Sequence, residues 1–137
     1  GSEMCIRDRY TDRALYTPDV IFESKELTVK ADIITCAAPN KYAAQKYQNV
    51  SDEENEKVLR KRLLFIRDIV TDQGVDTLIL GAFGCGVFGQ NPQQVADLMD
   101  EIFGIAPIKN IVCAVPGQDK TANTFAMKFS KQGVTNG

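Results

Sequence analysis

The sequence contains no histidine among its 137 residues. This absence excludes, within the chain, the serine and cysteine nucleophiles that depend on a histidine base. Zinc sites with histidine ligands are excluded for the same reason, and the four cysteines lack the paired spacing of a cysteine-only zinc site. We therefore expect no metal site.

The chain also lacks long apolar runs and an excess of positive charge. Its apolar stretches fall well short of the roughly 20 residues that cross a bilayer, so we expect no membrane partner. The net charge of −2 argues against nucleic acid as a partner. No secretory signal is visible, and with scattered cysteines this composition indicates a reduced, cytoplasmic protein.

The two ends of the chain differ from the rest. Residues 1–9 (GSEMCIRDR) read as a foreign leader, because Gly-Ser is typical of a cloning scar and the remainder resembles translated adaptor sequence. We hypothesise that the natural protein is truncated here, which the gene sequence upstream of Tyr10 would test. Residues 133–137 predict a frayed tail.

Between these ends, strands alternate with amphipathic helices. A short strand is predicted at Val20–Glu23, and strands buried on both faces at Asp32–Ala38, Thr77–Leu80 and Ile111–Val115. Alternation of this kind predicts an α/β fold in three layers, with a mainly parallel sheet covered by helices on both faces.

Capping residues mark the helices. Ser51 and Glu54 form a capping box, and Gly74 suits the position just after that helix. Asn91-Pro92 supplies the N-cap and first position of the next helix. The last helix is predicted at Thr121–Gln132.

The most informative segment is the glycine-rich loop Gly84–Gly89 (GCGVFG), between a buried strand and a capped helix. Glycine permits positive φ and close approach of a ligand to the backbone, and we expect both at Gly86. The following helix would add its dipole and unbonded N–H groups. This pattern predicts a phosphate or diphosphate site; a turn that only connects strand to helix is the alternative.

The loop also matches the G-x-G-x-x-G pattern of dinucleotide-binding folds. That fingerprint requires an acidic residue about 20 positions later, at the end of the next strand. Here the region reads Ile108-Lys109-Asn110, and Asp119 follows too late. A nicotinamide- or flavin-dinucleotide-binding oxidoreductase is therefore the weaker alternative.

Three blocks of the sequence resemble microbial-type poly(ADP-ribose) glycohydrolases. They are residues 81–103 (GAFGCGVFGQNPQQVADLMDEIF), 10–22 (YTDRALYTPDVIF) and 32–40 (DIITCAAPN). The resemblance implies a macrodomain-like α/β/α sandwich over residues 10–132, with ADP-ribose or poly(ADP-ribose) as ligand and no cofactor.

Carried over position by position, the resemblance also implies a ligand site. The diphosphate would be wrapped by Gly84, Cys85, Gly86, Val87, Phe88 and Gly89. Phe88 would lie against the distal ribose, and Asn40 would face the same cleft. Tyr42 and Tyr47 could stack on adenine, although surface tyrosines on an irregular loop are the commoner case.

The catalytic part of the family pattern is not found. The Gln-Glu-Glu motif of the family lies before the YTDRALY block, where this sequence has only residues 1–9. Cleavage through an oxocarbenium-like state relies on a positioned carboxylic acid. We therefore assign no catalytic residue, expect weak or absent hydrolysis, and keep a non-catalytic ADP-ribose-binding module as the alternative.

Three further expectations follow. Among the carboxylates near the strands, Glu23 and Glu26 are read as solvated charges and Asp32 as a turn residue. Cys85 is either a reactive thiol or, more commonly, a small residue that fits the loop. Missing strand and helix elements would leave an apolar edge, so self-association is expected.

Overall fold

The computed structural model describes residues 3–7 and 12–129. They form an α/β structure with five strands and four helices. The chain divides into two compact units, Gly1–Ala37 and Ala38–Gly137. No helix in the described ranges is long and apolar enough to cross a membrane. The predicted tail, and the last residues of the predicted final helix, lie outside the described residues.

The first unit is an antiparallel sheet of three strands in the order β1-β2-β3. The strands are β1 (Met4–Arg7), β2 (Arg13–Glu23) and β3 (Thr28–Thr35). The prediction of a mainly parallel sheet is wrong here. Residues 24–27 join β2 to β3, and parallel strands require a crossover of a dozen or more residues.

Strand β3 differs from the predicted strand Asp32–Ala38 in both its bounds and its burial. It begins at Thr28, ends at Thr35, and is exposed or half-buried along its whole length. The prediction of a strand buried on both faces is therefore wrong, because a run of apolar residues does not by itself show that both faces are covered. Strand β2 is likewise longer than the predicted Val20–Glu23.

A β-bulge explains the position of Asp32. The register of β2 against β3 shifts between Thr17 and Val20, where Asp19 adopts a φ of 58°. The carboxylate of Asp32 accepts hydrogen bonds from the Tyr16 hydroxyl and from the Asp19 N–H, the latter at 2.9 Å. The Tyr16 bond lowers the pKa of Asp32. Asp32 is thus a strand residue that stabilises a bulge, not a turn residue.

The second unit carries the remaining two strands and all four helices. In chain order these are α1 (Lys41–Gln48), α2 (Asp52–Asp72), β4 (Thr77–Leu80), α3 (Pro92–Phe103), β5 (Asn110–Cys113) and α4 (Lys120–Phe129). Strands β4 and β5 are parallel, as predicted. Helix α3 packs against α2 and α4. The most buried core side chains of this unit include Leu59, Leu63, Val95, Met99, Phe103, Phe125 and Phe129.

The predicted N-caps and the glycine after α2 are confirmed, but only the Ser51 half of the capping box forms among the described residues. Ser51 Oγ accepts from the Glu54 N–H at 3.1 Å, and α2 begins at Asp52. Gly74 follows α2 with a φ of 66°, a conformation that only glycine adopts without strain. Asn91 caps α3, and Pro92 is its first residue.

Two features of this unit were not predicted. Helix α1 occupies the segment read as an irregular loop; it contains no buried residue and hence no apolar stripe to reveal it. Strand β4 is buried on one face only, because Leu78 and Leu80 are buried whereas Ile79 is 66% exposed.

Candidate functional site

The glycine-rich loop connects the carboxyl end of β4 to α3, the edge at which open α/β sheets bind ligands. Its backbone is closed by three internal hydrogen bonds. The Cys85 N–H donates to Ala82 O at 3.1 Å, Gly89 N–H to Gly86 O at 3.0 Å, and Gln90 N–H to Gly84 O at 3.0 Å. The loop is therefore a folded backbone unit, not an extended connection.

Gly84 and Gly89 are the two loop glycines that require left-handed backbone. Their φ values are 74° and 75°. A Cβ on Gly84 would lie 2.7 Å from the Cβ of Ala38 and 2.8 Å from Cγ of Gln90, so the loop cannot close around a larger residue. A Cβ on Gly89 would lie 3.4 Å from the Cβ of Tyr42. Both glycines shape the loop.

Gly86 has a different role. The expected positive φ at Gly86 is wrong, because its φ lies outside the left-handed region. An added Cβ would meet no atom within 4 Å. The protein interior therefore does not require glycine at this position. The remaining reason for glycine here is that a ligand could approach the exposed backbone closely.

Three consecutive N–H groups are the part of the loop best suited to bind an anion. Within the described residues, the N–H groups of Gly86, Val87 and Phe88 donate to no protein acceptor. The Val87 side chain is 90% exposed. Successive unbonded N–H groups in a turn make a binding site for an anion.

Helix α3 offers an anion fewer free N–H donors than its sequence pattern predicts. Its first residue, Pro92, has no N–H, and Asn91 Oδ1 accepts from the N–H groups of Gln93 at 2.9 Å and Gln94 at 3.2 Å. The Val95 N–H donates to Asn91 O. The helix thus contributes its dipole to an anion at the loop, but the N–H donors must come from the loop itself.

A buried pair of amides holds the loop against the rest of the unit. Asn55 Nδ2 donates to Gln90 Oε1 at 3.0 Å, and Gln90 Nε2 donates to Asn55 Oδ1 at 2.9 Å. Gln90 Nε2 also donates to Pro39 O at 2.8 Å. Neither amide was predicted; the only signal in the sequence was a polar residue, Gln90, directly after the last loop glycine.

Asn40 lies between two points at which the chain contacts the loop. Its neighbour Pro39 accepts from Gln90, and the Tyr42 N–H donates to Phe88 O at 3.0 Å. The Asn40 side chain is exposed, and its Oδ1 caps α1 by accepting from the Ala43 N–H. Asn40 therefore lies between two residues that contact the loop, but its own side chain caps α1.

Cys85 is not an activated thiol. Burial raises its pKa to about 11, and the thiol donates a weak hydrogen bond to Phe83 O at 3.7 Å. At neutral pH the sulfur is protonated, and a protonated thiol is a poor nucleophile. Of the two sequence interpretations, the structure supports the small residue that fits the loop.

A charged groove of about 790 Å³ lies beside the loop, between α2, α3 and α4. Five carboxylates and three cations line it, and the cations are paired; Arg60 contacts Glu101 at 2.6 Å and Lys128 contacts Asp97 at 3.1 Å. None of residues 84–89 lines it. Its excess of negative charge opposes a phosphate, so the groove is a poorer candidate for an anion site than the loop.

Solved structures of poly(ADP-ribose) glycohydrolases are similar to this chain. The protein from Deinococcus radiodurans, in complex with ADP-ribose, is 26% identical with a TM-score of 0.77, covering 89% of this chain and 54% of that one. The protein from Thermomonospora curvata, bound to the inhibitor ADP-HPD, is 29% identical with a TM-score of 0.75, covering 88% and 50%. A mutant of the latter is 30% identical with a TM-score of 0.74.

These matches confirm the resemblance predicted from the three sequence blocks. The chain spans about half the length of the solved proteins that it matches. No protein-family model matches the sequence, and no curated protein does.

Proposed function

We propose that this chain binds ADP-ribose, with the diphosphate held by the N–H groups of Gly86, Val87 and Phe88. The observation that carries the proposal is that these three consecutive donors have no protein acceptor in the described part of the chain. A diphosphate presents several acceptor oxygens to such a row, and hydrogen bonds to a charged acceptor are the stronger kind. The similarity to a protein in complex with ADP-ribose supports the same ligand.

The remaining loop residues have distinct roles in this proposal. Gly84 and Gly89 set the backbone path, Gly86 leaves the surface open, and Cys85 fills space below the loop. The half-buried Phe88 lies against the distal ribose. Asn40 caps α1, and its neighbours Pro39 and Tyr42 make the contacts with the loop.

We further propose that this 137-residue chain binds its ligand without hydrolysing it efficiently. Its sequence contains no Gln-Glu-Glu motif. Contacts to the diphosphate hold ground state and transition state nearly alike, so they do not lower the barrier. A positioned carboxylic acid does, and its contribution is typically about 10²–10⁴-fold. We therefore propose that any poly(ADP-ribose) glycohydrolase activity of this chain is weak.

The broader expectations remain proposals, and the similarity to solved relatives bears on the domain and its ligand alone. They are a single ligand-binding domain over residues 10–132, a three-layer α/β/α arrangement, poly(ADP-ribose) as the polymeric ligand, self-association, and a cytoplasmic location without a nucleic-acid or membrane partner. The charge of the chain, −2, fits the absence of a nucleic-acid partner.

An oxidoreductase that binds a nicotinamide or flavin dinucleotide is not favoured. In such folds an acidic residue ends the strand that follows the glycine loop and binds the ribose hydroxyl. Here β5 ends at Cys113, whose buried side chain is 0% exposed, and Ala114 follows. Neither residue can accept a hydrogen bond from a ribose through a carboxylate.

Titration calorimetry with ADP-ribose, AMP and NAD tests the proposal. We expect ADP-ribose to bind more tightly than AMP, because AMP lacks the diphosphate and the second ribose. NAD carries both groups, so the comparison with NAD tests the oxidoreductase alternative. The Gly86→Val variant serves as the loop control and should lose this binding. Preference for NAD would favour the oxidoreductase, and the absence of binding to any of the three ligands would overturn the proposal.

A further inference from the structure

Helix α1 presents two tyrosines and a lysine next to the phosphate-binding loop. Tyr42 is 59% exposed and Tyr47 is 73% exposed. The Lys46 ammonium lies 5.5 Å from the centroid of the Tyr42 ring and 5.3 Å from that of Tyr47. Its Nζ also donates to the Tyr42 hydroxyl at 3.4 Å. We call these three side chains the α1 cluster.

The α1 cluster is attached to the loop through Tyr42. The Tyr42 N–H donates to Phe88 O at 3.0 Å, and the Tyr42 Cβ packs against Gly89. The Tyr42 side chain therefore starts at the edge of the anion site and carries its hydroxyl to Lys46. A ligand that extends past Gly89 would meet an aromatic ring first and an ammonium group next.

Lys46 lies in the last turn of α1 and forms no ion pair within the part of the chain that the structure describes. Among the described residues no carboxylate lies within ion-pair distance of its Nζ, whereas Lys41, on the same helix, contacts Asp52 at 3.7 Å. An exposed ammonium flanked by two aromatic faces suits a ligand that combines a base with a phosphate.

We propose that the α1 cluster is a second subsite, which binds the neighbouring ADP-ribose unit of an ADP-ribose polymer whose first unit occupies the loop. A base of the neighbouring unit stacks on a tyrosine face, and Lys46 pairs with a phosphate oxygen. This inference rests on the proposed ADP-ribose site and adds a preference for polymer over monomer.

The test compares the affinities of wild-type protein and variants for ADP-ribose and for a purified two-unit ADP-ribose oligomer. Tyr42→Ala keeps both the backbone N–H and the Cβ that contact the loop. We expect it to weaken binding of the oligomer about tenfold, the cost of one lost stack. Binding of ADP-ribose should change by no more than about twofold, the usual range for an exposed substitution.

Two further variants separate the ring from the charge. Tyr42→Phe keeps the stacking face and should retain the preference for the oligomer. Lys46→Ala should weaken the salt dependence of oligomer binding, as expected for the loss of one contact between an ammonium and a phosphate. Lys109→Ala is the matched control, because Lys109 is an exposed cation at the amino end of β5, opposite the loop.

The outcomes are distinguishable. Selective loss of oligomer affinity in Tyr42→Ala and Lys46→Ala supports the second subsite. Unchanged oligomer affinity, or an equal loss for both ligands, overturns it while leaving the loop site intact. If wild-type protein binds neither ligand, the ADP-ribose site itself is wrong and the second subsite is overturned with it.

Discussion

The side chains of Asn55 and Gln90 form a reciprocal amide pair in which each donates to the oxygen of the other, at 3.0 and 2.9 Å. Both are almost fully buried, with exposures of 3% and 2%. The pair joins α2 to the end of the loop, and Gln90 also closes the loop through its N–H to Gly84 O. The buried amide pair thereby holds the backbone of the loop that we propose binds the ligand.

We predict that Asn55→Ala destabilises the protein by about 1–3 kcal/mol, because the Gln90 amide is left buried without one of its partners. Chemical denaturation measures this change, and calorimetry should show weaker ADP-ribose binding in the folded variant. Asn123→Ala, on the exposed face of α4, is the control and should stay within about 0.5 kcal/mol of wild type. Equal stability of the two variants would contradict the role of the pair.

Substitution of Gly86 should impair ligand binding, whereas substitution of Gly84 should lower the stability of the fold. Gly86→Val should abolish ADP-ribose binding with the fold mostly intact, because its side chain enters open space over the N–H donors. Gly84→Ala should cost about 2–4 kcal/mol, since it combines left-handed strain with a clash against Ala38 and Gln90. Thermal unfolding and calorimetry on both variants check this, and unchanged affinity in Gly86→Val would remove the loop from the site.

The buried thiols should make stability depend on alkaline pH. Burial raises the pKa of Cys85 to about 11 and that of Cys113 to about 12, above their ordinary value of 9.0. The protonated thiol is favoured in the folded state, so this stability is fully present below pH 9.0 and is lost as pH rises towards 11 and 12.

Denaturation curves between pH 8 and pH 11 test this dependence. Cys85→Ala should flatten the decline, whereas Cys5→Ala, at an exposed position, should leave it unchanged. The same pKa shift predicts slow alkylation of Cys85 relative to Cys5 at neutral pH. Faster alkylation of Cys85 would show that the loop holds an activated thiol after all.

We predict that this chain hydrolyses poly(ADP-ribose) at least about 100-fold more slowly than a solved relative, because its sequence contains no Gln-Glu-Glu motif to supply a general acid. The measurement is the release of ADP-ribose from polymer by equal amounts of the two purified proteins. Turnover within about tenfold of the relative would require a catalytic carboxylate in this sequence. Asp12, Asp19, Glu23 and Asp32 would then be tested by single substitution to the amide.

Features that depend on neighbours in the chain could be predicted from the amino-acid pattern alone. The caps of α2 and α3, the parallel pair β4 and β5, and the position of the glycine loop were all predicted correctly. Each depends on local geometry: a capping oxygen bonds an N–H two or three residues ahead, and a buried strand leads into a turn.

Features that depend on residues far apart in the chain could not be predicted before the fold was known. Position 84 must be glycine because its φ is positive and because a Cβ there would clash with Ala38 and Gln90, and no local pattern separates Gly84 from Gly86. Asp32 became a strand residue through its bonds to Tyr16 and Asp19 across a hairpin. These pairings follow from packing and register, which fix backbone angles and polar partners only once distant segments meet.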